Sequence, residues 1–403
     1  MTKAALGRTE FIALIAMLSA TVAFSIDAML PALPKIGSAL SPNDPNNAQL
    51  VVTSFVLGLG LGTFFVGPIS DSFGRKPVII VGAAIYVIGA ALAWMAPTLE
   101  MMFMARVLQG MGAAAPRIVS LAMVRDLFQG REMARILSFV MLVFSLIPAI
   151  APTIGALLIL VIGWRGIFGV FIGFIIVTCI WLALRQPESL SPENRRPLQV
   201  KPLLSAVGQV FAHPVVRLSI AVQTLCFAML FSVLTTTQQI YDIRFGRGDE
   251  FHLWFALTAT LAAGASILNA MLVVRLGMQK MVITVLAAQI FICGTMIIFS
   301  ISDVLPEFGY FAYYVLWTTS VFALAGMTLG NLNAIALEPL GHIAGMAASV
   351  VGAVSTVGSV LIAIPIGQMF DGTPLPVAIG VLICAILAFC LMLILRAHAT
   401  VTA

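Results

Sequence analysis

Charge is scarce in this sequence. Of 403 residues only 9% are charged and 61% are hydrophobic, with a mean hydropathy of +1.09. A water-soluble chain carries roughly 25% charged residues. This one cannot cover its surface with polar groups, so lipid must be its solvent. In lipid every backbone N–H and C=O has to be satisfied within the chain. The short alternating segments of a membrane barrel are missing. The apolar runs are continuous and roughly 20 residues long, the length a bilayer-spanning helix needs. Histidine is scarce: His213, His252, His342 and His398 lie scattered at the ends of runs, which argues against a clustered enzyme centre in the membrane. Cys179, Cys226, Cys293, Cys384 and Cys390 all fall inside apolar runs without a Cys-x-x-Cys pair. They read as small apolar side chains, not as a disulfide set or a metal site. No Gly-x-x-x-x-Gly-Lys-[Ser/Thr] loop is present to hold ATP. The net charge of +5 is spread over short loops, which does not suggest nucleic acid.

What the chain does have is a succession of apolar runs. They place spans near 10–31, 48–69, 77–97, 101–123, 134–160, 166–185, 214–239, 252–274, 281–301, 308–336, 345–369 and 376–395. Lys3 and Arg8 before the first run mimic a signal peptide. The run continues too far and has no clear small-residue cleavage site, so it reads as an uncleaved span. The long polar stretch Gln186–Val210, with Pro187, Pro192, Pro197 and Pro202, halves the chain. The expected fold is an all-α membrane protein of twelve transmembrane helices in two pseudo-symmetric six-helix halves. Residues 1–185 form the first half, 186–213 a cytoplasmic linker and 214–403 the second half. Fifteen basic residues fall on the side of the N-terminus, among them Arg75, Lys76, Arg125, Arg131, Arg196, Lys201 and Arg275. Four (Lys35, Arg165, Arg244, Arg247) fall on the other. By the positive-inside rule both termini are expected in the cytoplasm. Two packed halves of six spans are the layout of a secondary transporter.

The most turn-rich and charged stretch of the first hundred residues is Gly67-Pro68-Ile69-Ser70-Asp71-Ser72-Phe73-Gly74-Arg75-Lys76-Pro77. Gly67, Asp71, Gly74, Arg75 and Lys76 fill the pattern G-x-x-x-D-x-x-G-R-[RK]. That pattern resembles the signature loop between spans 2 and 3 of the major facilitator superfamily. The second half has only Arg275-Leu276-Gly277-Met278-Gln279-Lys280 at the equivalent place, with one glycine, two cations and no Asp; it reads as a decayed repeat. Further stretches resemble one branch of the family, the Bcr/CflA drug:proton antiporters. These are Ser25-Ile26-Asp27 running to Pro34, Arg106-Val107-Leu108-Gln109-Gly110 in span 4, and Leu146 to Gly155 with Pro148 and Pro152 in span 5. Ala336 to Gly345 and Gly367 to Thr373 complete the set. The span 5 stretch departs from the family pattern in having Ala151 and Ala156 at two usual glycine places. Arg117 stands where the family more often has a small or apolar residue. The resemblance covers nearly the whole chain and implies a proton-coupled exporter with two six-helix halves around a central cavity.

Asp27 is the one carboxylate well inside a span, and an ionisable residue at membrane depth is a functional candidate by default. Burial and a nearby cation pull such a carboxyl in opposite senses, which suits a group that exchanges a proton. The plainer reading is exposure to an outer vestibule or a cap on the turn before Pro31. Arg106 is expected at similar depth, and the family resemblance implies that its helix neighbours the first, where it would tune Asp27 or form a permanent ion pair with it. Arg117, eleven residues further, falls on nearly the same helix face about 16 Å deeper. It would favour an anionic or hydrogen-bond-accepting substrate, or else bond carbonyls freed near Pro116 or Pro148. Asp71 and Arg75 would form a charged latch that breaks during the transport cycle, or simply a solvated turn. Pro148, Pro152 and Gly155 would let span 5 bend and pack closely. Phe24, Phe231, Trp317, Gln238, Gln239 and Asn331 complete the candidate substrate contacts, with Gln223, Asn269 and Asn333 as further polar candidates. The Gly58–Gly62 run, inside span 2, reads as close helix packing and not as a nucleotide loop.

Together these residues lead to the expectation of a monomeric, proton-gradient-driven exporter of small amphiphilic drugs of the phenicol or bicyclomycin kind. It would work by alternating access in a bacterial inner membrane, with no cofactor, metal or nucleic-acid partner. The alternative keeps the fold and exports an endogenous anionic metabolite such as a siderophore.

Overall fold

A computed structural model describes residues 6–195, 197, 198, 200–302 and 304–402. Lys3 and Arg196, counted above, lie outside them, as does the Lys201 side chain. Secondary structure among the described residues is helical: α1 (Arg8–Asp27), α2 (Leu33–Leu40), α3 (Leu50–Phe73), α4 (Arg75–Met95), α5 (Leu99–Leu127), α6 (Gly130–Arg185), α7 (Val200–Ala212), α8 (Pro214–Gln239), α9 (Phe251–Leu276), α10 (Met278–Ser302), α11 (Glu307–Leu337), α12 (Ala344–Gln368) and α13 (Leu375–Thr402). Ten helical runs in these residues are long and apolar enough to cross a membrane. Two of them, Gly130–Arg185 and Glu307–Gln368, are 56 and 62 residues long. At 1.5 Å per residue each would extend more than 80 Å, well over twice the ~30 Å hydrocarbon core. Both contain a break. In α6 it is Gly163, with φ 72° and ψ 171°; between α11 and α12 it is the 3-10 turn Glu338–Ile343. Each run therefore has length for two crossings.

The chain divides into two compact units. One comprises the residues up to Asn43 together with Ser54–Leu204; the other comprises Asp44–Thr53 together with the chain from Ser205 onward. The division falls within the expected linker, inside α7. It differs from the sequence reading in one respect: Asp44–Thr53, the start of span 2, goes with the second unit. Side-chain amides explain this. Asn46 Nδ2 donates to the carbonyls of Phe370 (2.8 Å) and Gln368 (3.3 Å), and Gln368 Nε2 donates back to Asn46 O (3.0 Å).

In the first unit α1 packs against α5 and α6, and α4 against α5 and α6. A Cβ at Gly58 would collide with the Val107 carbonyl of α5, which bears out close helix packing for the Gly58–Gly62 run. In the second unit α8 is the hub, touching α11, α12 and α13.

The signature stretch is not an extended loop. The α3 helix continues through Asp71 to Phe73, α4 begins at Arg75, and Gly74 alone lies between them. Ser70 Oγ donates to Gly67 O and Ser72 Oγ to Pro68 O, so hydroxyls occupy carbonyls of the helix's last turns. The polar residues had marked the end of the apolar run, not the end of the helix.

Candidate functional site

Helix α1 stops where its sequence makes it stop. Pro31 has no N–H to offer the Asp27 carbonyl, so Asp27 is the last helical residue and a 3-10 turn, Leu30–Ala32, follows. The first leg of α6 presses onto this turn. A Cβ at Gly155 would overlap the Ala28 carbonyl, so the span 5 glycine admits the approach beside Asp27. Pro148 and Pro152 lie within the same leg.

Asp27 is 5% exposed, and no hydrogen bond or ion pair reaches its carboxyl among the described residues. Arg106 is fully buried. Its Nη1 donates to Gln109 Oε1 (2.7 Å), its Nη2 to Ser25 O (3.1 Å), and its guanidinium carbon sits 4.4 Å from the centre of the Phe55 ring. The structure thus brings Arg106 to the end of α1, two residues short of Asp27. The expected ion pair is not formed, because the guanidinium fork is committed to a main-chain carbonyl and a carboxamide. Ser25 Oγ donates to Thr21 O (2.6 Å) and so accepts from Tyr86 OH (2.6 Å). Gln109 Nε2 is buried without a partner among the described residues. Ser25 and Gln109 lie inside the stretches that carried the family resemblance. Tyr86 was missed: one hydroxyl in an apolar span leaves no pattern.

Arg117 is half-buried. Its guanidinium carbon lies 5.8 Å from the centre of the Phe144 ring, and no hydrogen bond or ion pair of that guanidinium is found among the described residues. The carbonyls near Pro116 and Pro148 therefore do not hold it. Phe24 packs on Phe171 and Phe174 of α6, at 5.3 and 5.4 Å between ring centres.

The second-unit candidates are buried and largely committed. Trp317 Nε1 donates to Cys293 Sγ (3.1 Å), and Asn331 Nδ2 donates to Asn269 Oδ1 (2.9 Å). Gln239 Oε1 accepts from Gln49 Nε2 (2.6 Å), while its own Nε2 donates to Pro45 O (3.2 Å). Gln49 and Asn46 were invisible as site residues because they sit in an ordinary polar turn. Phe231 stacks on Phe227 at 5.8 Å. The Gln238 and Gln223 Oε1 atoms are buried without partners among the described residues.

At the other end of α3, Arg75 is held by three side chains. Its guanidinium donates to Asp71 Oδ1 (2.5 Å), Ser70 Oγ (2.8 Å) and Asp126 Oδ2 (2.8 Å), the last from the end of α5. Lys76 Nζ donates to Ala183 O (2.7 Å) and Gln186 O (3.0 Å). Only 9% of the Arg75 side chain is exposed, against 42% for Asp71 and 18% for Asp126. Asp126 was missed because nothing in its own neighbourhood shows that α5 ends beside α3.

A family model described as Major Facilitator Superfamily matches residues 12–364. The chain belongs to the Major Facilitator Superfamily. It is thus a membrane transporter, and the family resemblance read from Gly67–Lys76 holds. Among its relatives in the superfamily, a bicyclomycin resistance protein homolog of Haemophilus influenzae is 29% identical over 358 residues, covering 87% of each chain. A chloramphenicol resistance protein of Pseudomonas aeruginosa is 31% identical over 204 residues, 50% of this chain and 46% of that one. A crystal structure of a D-xylose-proton symporter superposes with a TM-score of 0.78, covering 95% of this chain and 97% of that one at 14% identity. At that identity the likeness is one of fold alone.

Proposed function

We propose that this chain is a proton-coupled exporter of small amphiphilic drugs of the phenicol or bicyclomycin kind, acting as a monomer by alternating access. Its setting is a bacterial inner membrane with both termini in the cytoplasm, in keeping with the fifteen-to-four distribution of basic residues. The observation that carries the reading is Asp27: a 5% exposed carboxyl at the end of α1, without an ion-pair partner among the described residues, beside a fully buried arginine. A lone enclosed carboxyl is suited to gain and lose a proton. Arg106, anchored on Ser25 O, holds fixed positive charge near it without cancelling it through a direct pair. The names of the relatives supply the drug class. Asp71, Arg75 and Asp126 form a latch at the end of α3 that the cycle would break and remake. The test is growth protection in a pump-deficient host challenged with chloramphenicol or bicyclomycin. Protection should vanish when the membrane pH gradient is collapsed; protection that survives collapse contradicts proton coupling.

One observation favours a second reading, export of an endogenous anionic metabolite. The Arg117 guanidinium has no hydrogen-bond or ion-pair partner among the described residues, and its carbon lies 5.8 Å from the centre of the Phe144 ring. Such a group is ready for an anion. Binding of a neutral phenicol and of an anionic siderophore separates the two readings: loss of anion affinity alone in Arg117→Ala supports the second.

A further inference from the structure

The cluster around Arg75 has a fourth member that lies outside the signature stretch. Glu188 follows α6 on the polar segment toward α7. Its Oε1 accepts from the backbone N–H of Arg75 (2.9 Å) and its Oε2 from that of Lys76 (3.0 Å). These are the first two residues of α4, whose N–H groups have no partner inside the helix. Oε1 also accepts from Leu190 N (3.0 Å), which folds the segment around the carboxylate. The next residue joins the same cluster: Ser189 Oγ donates to Asp126 Oδ2 (3.0 Å), the oxygen that also receives Arg75 Nε. Gly74, the one residue between α3 and α4, has φ 101°, and a Cβ there would lie 2.9 Å from Glu188 Oε2.

We propose that Glu188 is a positioning residue of the transporter: by capping α4 it fixes the backbone from which Arg75 reaches Asp71 and Asp126. The proposal rests on the latch role given to that cluster. The connector after α6 thereby becomes part of the latch. A carboxylate at a helix N-terminus is favoured by the helix dipole and by charge-assisted bonds to N–H groups, so the cap is stronger than a neutral one. Removing it frees the start of α4, and Arg75 loses the fixed base its three side-chain bonds require. A capping residue with a local role would affect only the amides it touches. Glu188 acts through Arg75, so its effect reaches the ends of α3 and α5.

Hydrogen–deuterium exchange of the full chain in nanodiscs tests this without knowledge of the substrate. Wild type, Glu188→Ala, Glu188→Gln, Arg75→Ala and the double variant Glu188→Ala/Arg75→Ala are compared. In Glu188→Ala, exchange should rise about tenfold in peptides covering residues 67–74 and 119–128, as expected for losing two charge-assisted bonds. Glu188→Gln keeps an acceptor without the charge, and should fall between it and wild type. In the double variant the rise should not exceed that of Arg75→Ala alone, the non-additivity of residues acting through one another. A rise confined to the amides of Arg75 and Lys76, or single effects that add, overturns the proposal. A response of both peptides to Arg75→Ala with none to Glu188→Ala overturns it while leaving the latch intact. No response to Arg75→Ala overturns the latch and this proposal together.

Discussion

Two turns in this transporter share a backbone and little else. Gly74 joins α3 to α4 with φ 101° and ψ 160°; Gly277 joins α9 to α10 with φ 81° and ψ 154°. Each is a single residue at positive φ between two long helices, at corresponding places in the two halves. Around Gly74 the side chains close in: a buried Arg75 bound to Asp71, Ser70 and Asp126, with Glu188 over the start of α4. Around Gly277, Arg275 and Lys280 are exposed, no ion pair involves either among the described residues, and a Cβ at Gly277 would meet open space. The duplicated geometry can persist on a glycine alone. The charged cluster at Gly74 takes one carboxylate, Asp71, from its own stretch and two, Asp126 and Glu188, from distant segments, whereas no ion pair involves Arg275 or Lys280 among the described residues.

The sharpest way to break this contrast is to delete the cation from each turn. Arg75→Ala should reduce drug export at least tenfold, because it strands Asp71 and Asp126 without their shared partner. Arg275→Ala should leave export within about twofold, the range of an exposed charge without a measurable pair. Initial export rates in everted vesicles decide it, and equal losses would show that the two turns are functionally alike. Next comes Asp126→Asn, which leaves Arg75 with Asp71 and Ser70. A severalfold loss of export is expected, smaller than that of Arg75→Ala. A loss as large would place the function on Asp126 instead.

The glycines give a smaller difference. Gly74→Ala and Gly277→Ala each force alanine into an extended, positive-φ conformation that only glycine adopts readily, at roughly 1–3 kcal/mol. Only the first also drives a Cβ to 2.9 Å from Glu188 Oε2. Thermal unfolding in detergent should therefore place Gly74→Ala below Gly277→Ala. Equal midpoints would remove Glu188 from the energetics of the turn. The smallest effect is expected from transplanting the charges. Val274→Asp with Met278→Arg puts an i,i+4 pair at the Gly277 turn in the places of Asp71 and Arg75. Without counterparts of Asp126 and Glu188 it should stabilise by no more than about 0.5 kcal/mol. A larger gain would mean that the signature pair suffices alone.

The same contrast explains what could be read from the sequence. Length and hydropathy of the apolar runs revealed the helices, because lipid leaves a chain few alternatives. Gly67, Asp71, Gly74, Arg75 and Lys76 stood out because they are spaced along one stretch. Their partners Asp126 and Glu188 come from distant segments, and no local pattern announces that α5 and the segment after α6 end beside α3. Arg106 and Asp27 were both visible as rare charges among apolar residues. That they do not pair depends on where a guanidinium finds a closer acceptor, in this case Ser25 O and Gln109, which is a property of packing. The helical nature of Gly67–Phe73 was hidden for a related reason. Polar residues end an apolar run at the membrane surface, while a helix whose carbonyls are reached by Ser70 and Ser72 continues past it.

In the proposed coupling, Asp27 exchanges its proton for cargo. Purified transporter in weakly buffered detergent, mixed with chloramphenicol while pH is recorded, tests it directly. Wild type should release protons on binding the drug, and Asp27→Asn should release none, even where the drug still binds. Proton release of equal size in the two proteins would contradict the account.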